Sequence, residues 1–361
     1  MKFSNKRYDI ITVIPQLGGG GGERVACTLS NAFVKRGLST AILVYKKNSN
    51  KMYESYVDKN VDIIYLNFNH RISRRPISFI KKLIGNINNL NPDRVLFCSG
   101  TINCFVSLFL NFFNKDITLI ARETNLPSLY TNRFLLMLYK LTYKNFDKII
   151  AQSDEMYEEM LNLTKAKEKI ELINNPIDIN KVLELSVNDK EVEFSKSKVN
   201  IVTSGRLTYQ KGFDMLIKSL ANVEVDYLLH ILGDGEDKDM LVNLVNSLNI
   251  NDKVIFHGSV DNPFPFYKNA HCFISSSRWE GYPNAVIEAL ACGTPVISNS
   301  YPGGIKSIIN SDNGIILDVN KSKDLEHAIL SIEKFKENKV KATVQHLDYI
   351  TISKRILPDD M

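Results

Sequence analysis

The chain has no run of about 18 apolar residues, the length a helix needs to span a bilayer, so no membrane-crossing segment is expected. It has no low-complexity tract, and its 44% hydrophobic and 24% charged residues fit a globular, soluble protein. A secretory signal is not expected either. The N-terminal MKFSNKRYDIITVIPQ has a short basic head, but its apolar part runs straight into a glycine loop and reads as a first strand. The five cysteines (Cys27, Cys98, Cys104, Cys272 and Cys292) are odd in number and show no CxxC spacing. That argues against a zinc site or a disulfide framework, and reduced core thiols in a cytoplasmic protein are expected.

What is present begins with length. At 361 residues the chain exceeds one ordinary core, and two domains are expected. Charge is shared unevenly. Residues 1–176 hold 25 Lys and Arg against 15 Asp and Glu, whereas the remainder holds 20 against 25. The basic first half either meets something acidic, such as anionic lipid or an acidic substrate, or is simply a solvated surface.

Both halves follow one plan. In the first, YDIITVIP (8–15) is a continuous β-branched run that fits a strand buried on both faces. It leads through the glycine run Gly18–Gly22 into a helix with Val25, Leu29, Ala32 and Phe33 at helical spacing, closed by Gly37. Further strands are expected at 41–45, 61–66, 91–100 and 116–122. After Asn175-Pro176 the plan restarts, with strands at 198–207, 226–235, 253–260, 271–277 and 295–300. Strands alternating with helices imply βαβ units and parallel sheets, here two Rossmann-like domains in tandem. Ligands of such sheets sit beyond the carboxyl ends of the strands.

The loops at those ends carry the candidate chemistry. SGRLTYQKGFDML places Arg206 just after a strand and Lys211 at the mouth of the next helix. An Arg fork, a Lys point charge and helix-end N–H groups would clamp a diphosphate; the alternative is a pair of solvated cations. SRWEGYPNAVIEALACGTPVIS puts Glu280 in a loop, Pro283 at the expected first helical position, Glu288 on the helix and Gly293 at its cap. Two carboxylates so spaced can face one ligand and accept from vicinal hydroxyl pairs. The alternative is a helix-entry acid and a satisfied buried one.

These residues resemble the retaining glycosyltransferases of family 4, which have the GT-B fold of two Rossmann-like β/α/β domains facing each other across a cleft. The resemblance rests on E-x7-E with A-L-A-C-G-T-P-V-I (Glu280 to Ile297), G-R-L…K-G (Gly205 to Gly212), G-D-G (Gly233 to Gly235) and G-G-x-E-R near Gly21, Gly22 and Arg24, all in order. It implies domains at 1–176 (acceptor) and 177–340 (nucleotide-sugar donor), with 341–361 returning to the first. Arg206 and Lys211 would bind the donor diphosphate, with Gly205 and Gly233 shaping the loops. Glu288 would hold the ribose and Glu280 the donor sugar. Gly281, Tyr282, Pro283 and Asn284 would present backbone groups to the phosphates or the sugar, and Gly21 and Gly22 would line the donor from the first domain. The resemblance further implies transfer with retention on one face of the donor, in which the leaving diphosphate takes the acceptor's proton while Arg206 and Lys211 stabilise its developing charge, so that neither metal nor cofactor is needed. Asp237-x-Asp239 reads as a solvated helix start rather than a Mn²⁺ motif.

The sequence departs from the family pattern in two places. Arg122-Glu123-Thr124-Asn125 stands where many relatives have a histidine, so Arg122 is the candidate for charge stabilisation there, against a surface strand-end arginine. His230 and His271 read as core histidines, and His257 as one near the ligand. In YPGGIKSII (301–309), Lys306 and Ser307 replace an acid usual in relatives, which leaves the sugar open. The segment 70–83, with Arg71, Arg74, Arg75, Lys81 and Lys82 among apolar residues, and the apolar CFVSLFLNFF (104–113) close by in sequence suit an anionic membrane surface; the alternative for 104–113 is a buried helix of the Rossmann layer. Expected partners are therefore a nucleotide-sugar, with UDP preferred over GDP, a glycan or lipid-linked acceptor, and through 71–82 an anionic membrane; nucleic acid is not among them. The expected setting is the cytoplasm, at the inner face of the membrane, in bacterial surface polysaccharide synthesis. A GT-B protein that only binds, a GT-B nucleotide-sugar epimerase and, least favoured, a dinucleotide dehydrogenase are the alternatives. No acid ends AILVY to hold a dinucleotide ribose.

Overall fold

The computed structural model describes residues 6–18, 20–46, 53–68, 70–187 and 194–359. The MKFSN head, Gly19 of the glycine run and the last two residues, 360 and 361, lie outside the described residues. The chain forms two compact units, one of residues 1–176 with 349–361 and one of residues 177–348.

The first unit runs β1 (Ile10–Ile14), α1 (Gly21–Lys35), β2 (Thr40–Lys46), β3 (Asp62–Phe68), α2 (Pro76–Leu90), β4 (Arg94–Phe97), α3 (Gly100–Val106), β5 (Thr118–Arg122), α4 (Pro127–Tyr130), α5 (Arg133–Thr142), β6 (Lys148–Ala151), α6 (Asp154–Thr164) and β7 (Ile170–Leu172). The second runs α7 (Ile179–Ser186), β8 (Val199–Ser204), α8 (Phe213–Leu220), β9 (Tyr227–Leu232), α9 (Lys238–Ser247), β10 (Val254–Gly258), α10 (Phe264–Asn269), β11 (Cys272–Ser275), α11 (Asn284–Cys292), β12 (Val296–Asn299), α12 (Ile305–Ile308), β13 (Gly314–Leu317), α13 (Ser322–Leu330) and α14 (Glu337–Ala342). The last helix, α15 (Tyr349–Ile356), belongs to the first unit.

Both sheets are parallel, ordered β3-β2-β1-β4-β5-β6-β7 and β10-β9-β8-β11-β12-β13. Helices cover each sheet on both sides, which is why strands such as IITVI are buried at every position. The sequence reading expects five strands per half. The structure adds KIIA and IEL to the first sheet and GIIL to the second, runs of three or four residues too short to stand out as apolar patterns.

The order reverses between β1 and β4 in the first sheet and between β8 and β11 in the second. Loops on either side of such a reversal diverge and leave a crevice at the carboxyl edge. In the first unit these are the glycine run after β1 and Cys98–Ser99 after β4; in the second they are the loops holding Arg206 and Glu280. The α15 helix packs on α1. There the Arg36 guanidinium donates to the Leu357 carbonyl at 2.6 Å and pairs with Asp359 at 2.8 Å, while Arg355 donates to the Leu172 carbonyl at 2.6 Å.

One acid lies wholly inside the first unit. Glu123, just past β5, has no exposed surface. Its carboxylate accepts hydrogen bonds from the Tyr139 hydroxyl at 3.0 Å and from the Tyr143 hydroxyl, and those two rings stack with centroids 4.6 Å apart. Burial pushes the carboxyl up to about 8, against the lowering effect of the Tyr139 and Asn103 hydrogen bonds. A folded-state value above the unfolded one means the folded form binds the extra proton. Stability from this group is therefore complete below the ordinary glutamate range and falls as pH rises toward 8. Thermal melting across pH 5–9 should show that decline in the wild type. Glu123→Gln, which keeps the acceptor oxygen and cannot ionise, should flatten it; an identical slope in both proteins would refute the assignment.

Candidate functional site

The second unit brings its two key loops together through the sheet. β8 and β11 are paired neighbours, with Cys272 opposite Ile201 and Phe273 opposite Val202, so the loops that leave their carboxyl ends emerge side by side. From the first come Arg206 and Lys211, and from the second Ser277 to Pro283.

The loops are joined by direct bonds. Lys211 Nζ lies 2.5 Å from Glu280 Oε1, which also accepts from the Ser277 hydroxyl at 2.6 Å. Gln210 Nε2 reaches the Trp279 carbonyl at 2.9 Å and the second Glu280 oxygen at 3.4 Å. Ser276 donates to the Lys211 carbonyl at 2.9 Å, and the Arg278 N–H to the Gln210 carbonyl at 2.7 Å. Arg278 then anchors the whole assembly to α8. Its fork meets both oxygens of Asp214 at 2.9 Å, and its guanidinium lies 3.9 Å from the centre of the Tyr209 ring. Burial would raise Asp214, but the Arg278 hydrogen bonds and charge outweigh it and hold the carboxyl below its ordinary range.

A pocket opens within this unit between the two loops and the start of α11, lined by Lys211, Ser275, Ser277, Glu280, Pro283 and Asn284 among others. Glu280 is 7% exposed and Glu288, one turn into α11, is 6% exposed. Glu280 lines the pocket and can accept hydrogen bonds from hydroxyls, whereas Glu288, buried deeper on α11, is not among the lining residues; Lys211 with the backbone N–H groups at the start of α11 supplies positive potential. Gly281 and Tyr282 are buried at the turn into that helix. Pro283 is its N-cap rather than its first residue, because its ψ of 78° is not helical. Gly293 caps the other end at φ 89°, as expected. Arg206 is exposed on the loop after Gly205, five positions from Lys211.

Backbone contacts shape the pocket. Gly233 sits where a Cβ would fall on the Gly205 carbonyl, and Gly303 where it would fall on the Glu280 carbonyl. Glu280 is fixed further by its N–H, which donates to the Pro302 carbonyl at 3.0 Å. The sequence reading missed Ser277, Gln210 and the Arg278–Asp214 pair. The hydroxyl three residues before Glu280 was the available signal for the first; the other two depend on distant segments meeting.

The remaining candidates fall elsewhere. Asp237 is the N-cap of α9 and Asp239 lies in its first turn. His230 is buried as expected, 3.0 Å from the His257 ring nitrogen, and burial holds both rings below the ordinary histidine range. His257 thus packs against His230 and Phe266, not against the pocket. His271 is exposed rather than core: it precedes β11, and its Nδ1 accepts the Asn200 N–H at 3.0 Å.

In the first unit Gly21 and Gly22 open α1, with Gly20 as N-cap. Arg122 is not a surface residue. It is 2% exposed at the end of β5, hydrogen-bonded to Asn175 and close to Cys98 and Glu123, and burial lowers its pKa. The 70–83 segment also differs from expectation. Its cations are exposed, but Phe79, Ile80 and Leu83 are buried in the sheet core, because α2 is amphipathic and spends its apolar face there. A second pocket, lined by Tyr45, Lys46, Phe68, His70 and Arg71, opens at the ends of β2 and β3.

Residues 186–345 match the family Glycosyl transferases group 1, and residues 19–181 match Glycosyltransferase Family 4. The chain is 32% identical to an uncharacterised glycosyltransferase of Methanocaldococcus jannaschii over 74% of its own length and 71% of the relative's. It is 26% identical, over 95% of its length and 97% of the relative's, to a Campylobacter jejuni enzyme, N-acetylgalactosamine-N,N'-diacetylbacillosaminyl-diphospho-undecaprenol 4-alpha-N-acetylgalactosaminyltransferase. Among solved structures, Anabaena HepE in complex with UDP and glucose superposes with a TM-score of 0.78 at 16% identity, covering 97% and 98% of the two chains. The lipopolysaccharide outer core galactosyltransferase WaaB in its apo form gives 0.73 at 19% identity, covering 96% and 97%. The fold shared with these structures is GT-B.

The glycines give a test of the pocket's construction. Gly303→Ala adds both left-handed strain (φ 118°) and a clash with the Glu280 backbone, whereas Gly258→Ala adds strain alone, at φ 69° with open space around it. Alanine at 303 should cost clearly more than the roughly 1–2 kcal/mol of strain expected at 258. Calorimetric melting of the two variants measures the difference, and equal losses would show that the Gly303–Glu280 contact does not matter.

Proposed function

The chain belongs to glycosyltransferase family 4, and on that premise we propose that it moves a hexose or N-acetylhexosamine from a nucleotide-sugar, UDP-linked in the favoured reading, to a glycan or lipid-linked acceptor with retention of configuration. The single observation that carries this is the pocket built from Lys211, Ser277, Glu280 and the start of α11 at the switch point of the second sheet.

In this reading the diphosphate lies against Lys211 and Arg206, with the N–H groups around Pro283 and Asn284 adding to the positive field. As the glycosidic bond to the diphosphate breaks, negative charge grows on the leaving phosphate, and the two cations stabilise it where it develops. Glu280, held by Ser277 and Gln210, accepts from the donor sugar's hydroxyls, while Glu288 accepts from the ribose. The departing diphosphate takes the acceptor's proton, so no metal or cofactor takes part. UDP in the HepE complex and the lipid-linked acceptor named for the Campylobacter relative support the donor and acceptor classes. Names among other relatives, such as a Rhizobium meliloti lipopolysaccharide core glycosyltransferase, support surface polysaccharide synthesis as the setting. The acceptor is placed with the first unit, whose excess of cations suits a phosphate-bearing lipid.

Calorimetric titration with UDP and with GDP, without metal, tests the donor assignment. UDP should bind and Glu288→Ala should weaken it about tenfold, or about 1.4 kcal/mol. Binding of neither nucleotide would rule out the reading. Transfer assayed with excess chelator should proceed at an unchanged rate; loss of activity restored by a divalent cation would overturn the metal-free step.

A further inference from the structure

Outside the pocket, the second unit holds a pair of titratable groups in contact. His230 on β9 has no exposed surface, and His257, half-buried near the end of β10, reaches it. His230 Nδ1 and His257 Nε2 lie 3.0 Å apart, and the two rings stack at 13°. Phe194 and Phe266 of α10 pack around them. Polar nitrogens in such surroundings cost free energy unless each is matched. Asn200 of β8 decides which nitrogen carries the proton. Its Nδ2 donates to the Ser195 carbonyl at 2.7 Å and the Lys198 carbonyl at 3.3 Å, and its Oδ1 accepts the Ser195 N–H at 3.0 Å. His230 Nε2 faces that acceptor oxygen at 3.5 Å and is therefore the N–H of its ring. His230 Nδ1 is then the acceptor and His257 Nε2 the donor.

The pair sits at an irregularity of the sheet. Phe256 lies opposite Ile231 and Gly258 opposite Leu232, so His257 is an extra residue in β10. Gly258 follows it at φ 69°, and the Gly258 carbonyl accepts the Gly233 N–H at 2.7 Å. From Gly233 the contacts continue into the loop that carries Arg206. A Cβ at 233 would fall on the Gly205 carbonyl. The Gly205 N–H donates to the Leu232 carbonyl at 2.9 Å, and the Leu207 N–H to the Asp234 carbonyl at 3.0 Å. The backbone on both sides of Arg206 is thus tied to a segment that the bulge at His257 supports.

We propose that His257, through its hydrogen bond to His230, is a positioning residue for the nucleotide-sugar: it holds the Gly258 bulge, and with it the Gly233 and Gly205 loops, in the arrangement that presents Arg206 to the diphosphate. The ligand in this proposal rests on the donor reading. The pair also makes donor binding sensitive to acid. A first proton, on His257, leaves the hydrogen bond in place. A second, on His230 Nδ1, removes the acceptor and sets two cations 3.0 Å apart. The groups facing the pair are Asn200 of β8, Phe266 of α10 and Phe194, and none of them carries a charge that could offset this. Burial lowers both rings, and His257 lowers His230 further, to about 4. Values below the ordinary one mean that the pair's contribution is complete above 6.5 and is lost as pH falls toward 4.

The test follows two readouts from about pH 8 to about pH 5: calorimetric titration of the full chain with UDP, and amide hydrogen exchange of residues 205–207 and 233–235 in the free protein. His257→Gln keeps a donor near the Nε2 position that cannot take a proton, and His257→Leu removes the donor. The UDP phosphate and the exchange chemistry also change with pH, so each variant is read as a ratio to the wild type. At the alkaline end His257→Gln should match the wild type in both readouts. At the acid end it should bind UDP about tenfold more tightly than the wild type, the linkage of one histidine proton, and its loops should exchange more slowly. His257→Leu should bind UDP about tenfold more weakly already at the alkaline end, with faster exchange in the same loops. His327→Gln, an exposed histidine on α13, should change nothing. Equal UDP affinity of the wild type and His257→Gln at both ends overturns the proposal. So does a His257→Leu protein that melts earlier yet keeps its UDP affinity. Acid-accelerated loop exchange in a wild type that binds no UDP at any pH would sink the donor reading and leave the anchoring of the loops standing.

Discussion

Glu280 is a largely buried carboxylate, and several loops of the second unit are arranged around satisfying it. A buried charge without partners costs several kcal/mol, so its position is set by the groups that meet it. Lys211 and Ser277 hold one oxygen and Gln210 the other, while Pro302 takes the backbone N–H. Those partners come from three separate loops. The Arg278–Asp214 fork ties the arrangement to α8, and glycine at 303 lets the segment that carries Pro302 pass against the Glu280 carbonyl. The pocket is what remains between groups already fixed by one another. A ligand that trades its own hydroxyls and phosphates for these contacts meets a site with little left to reorganise.

The first unit puts its polar groups to a different use. At the end of β5 the chain buries Arg122 and Glu123 side by side, where the sequence placed a possible catalytic cation. Tyr139 and Tyr143 from the α5 region and Asn103 from α3 converge on that point, Asn103 through the Arg122 carbonyl. This polar knot holds α3 and α5 to the sheet edge. It gives α5 a fixed inner face, and with it a fixed outer one.

The strands with continuous β-branched runs, the glycine turns and the E-x7-E helix were legible because each is a local pattern: period, cap and spacing lie within some twenty residues. Lys211 and Glu280 could be named from their own loops, but their ion pair could not, since it joins residues 69 positions apart. The basic 70–83 segment shows the opposite failure. Its alternation of cation and apolar residue looks the same whether the apolar side faces a membrane or a sheet. Only the packing of Phe79, Ile80 and Leu83 on the sheet distinguishes the two.

By itself the sequence determined the element types, the parallel α/β class and which loops hold acids and cations, because these follow from short-range sterics and from where glycine and proline sit. Tertiary structure decided which charges are buried, which meet and which apolar faces remain uncovered. Those depend on strand order and on contacts between distant segments, and burial in turn sets the electrostatics. Arg122 and Arg206 show the division: one ends a strand and the other follows one in a Rossmann-like sheet, yet the first is sealed in the core and the second is exposed on its loop.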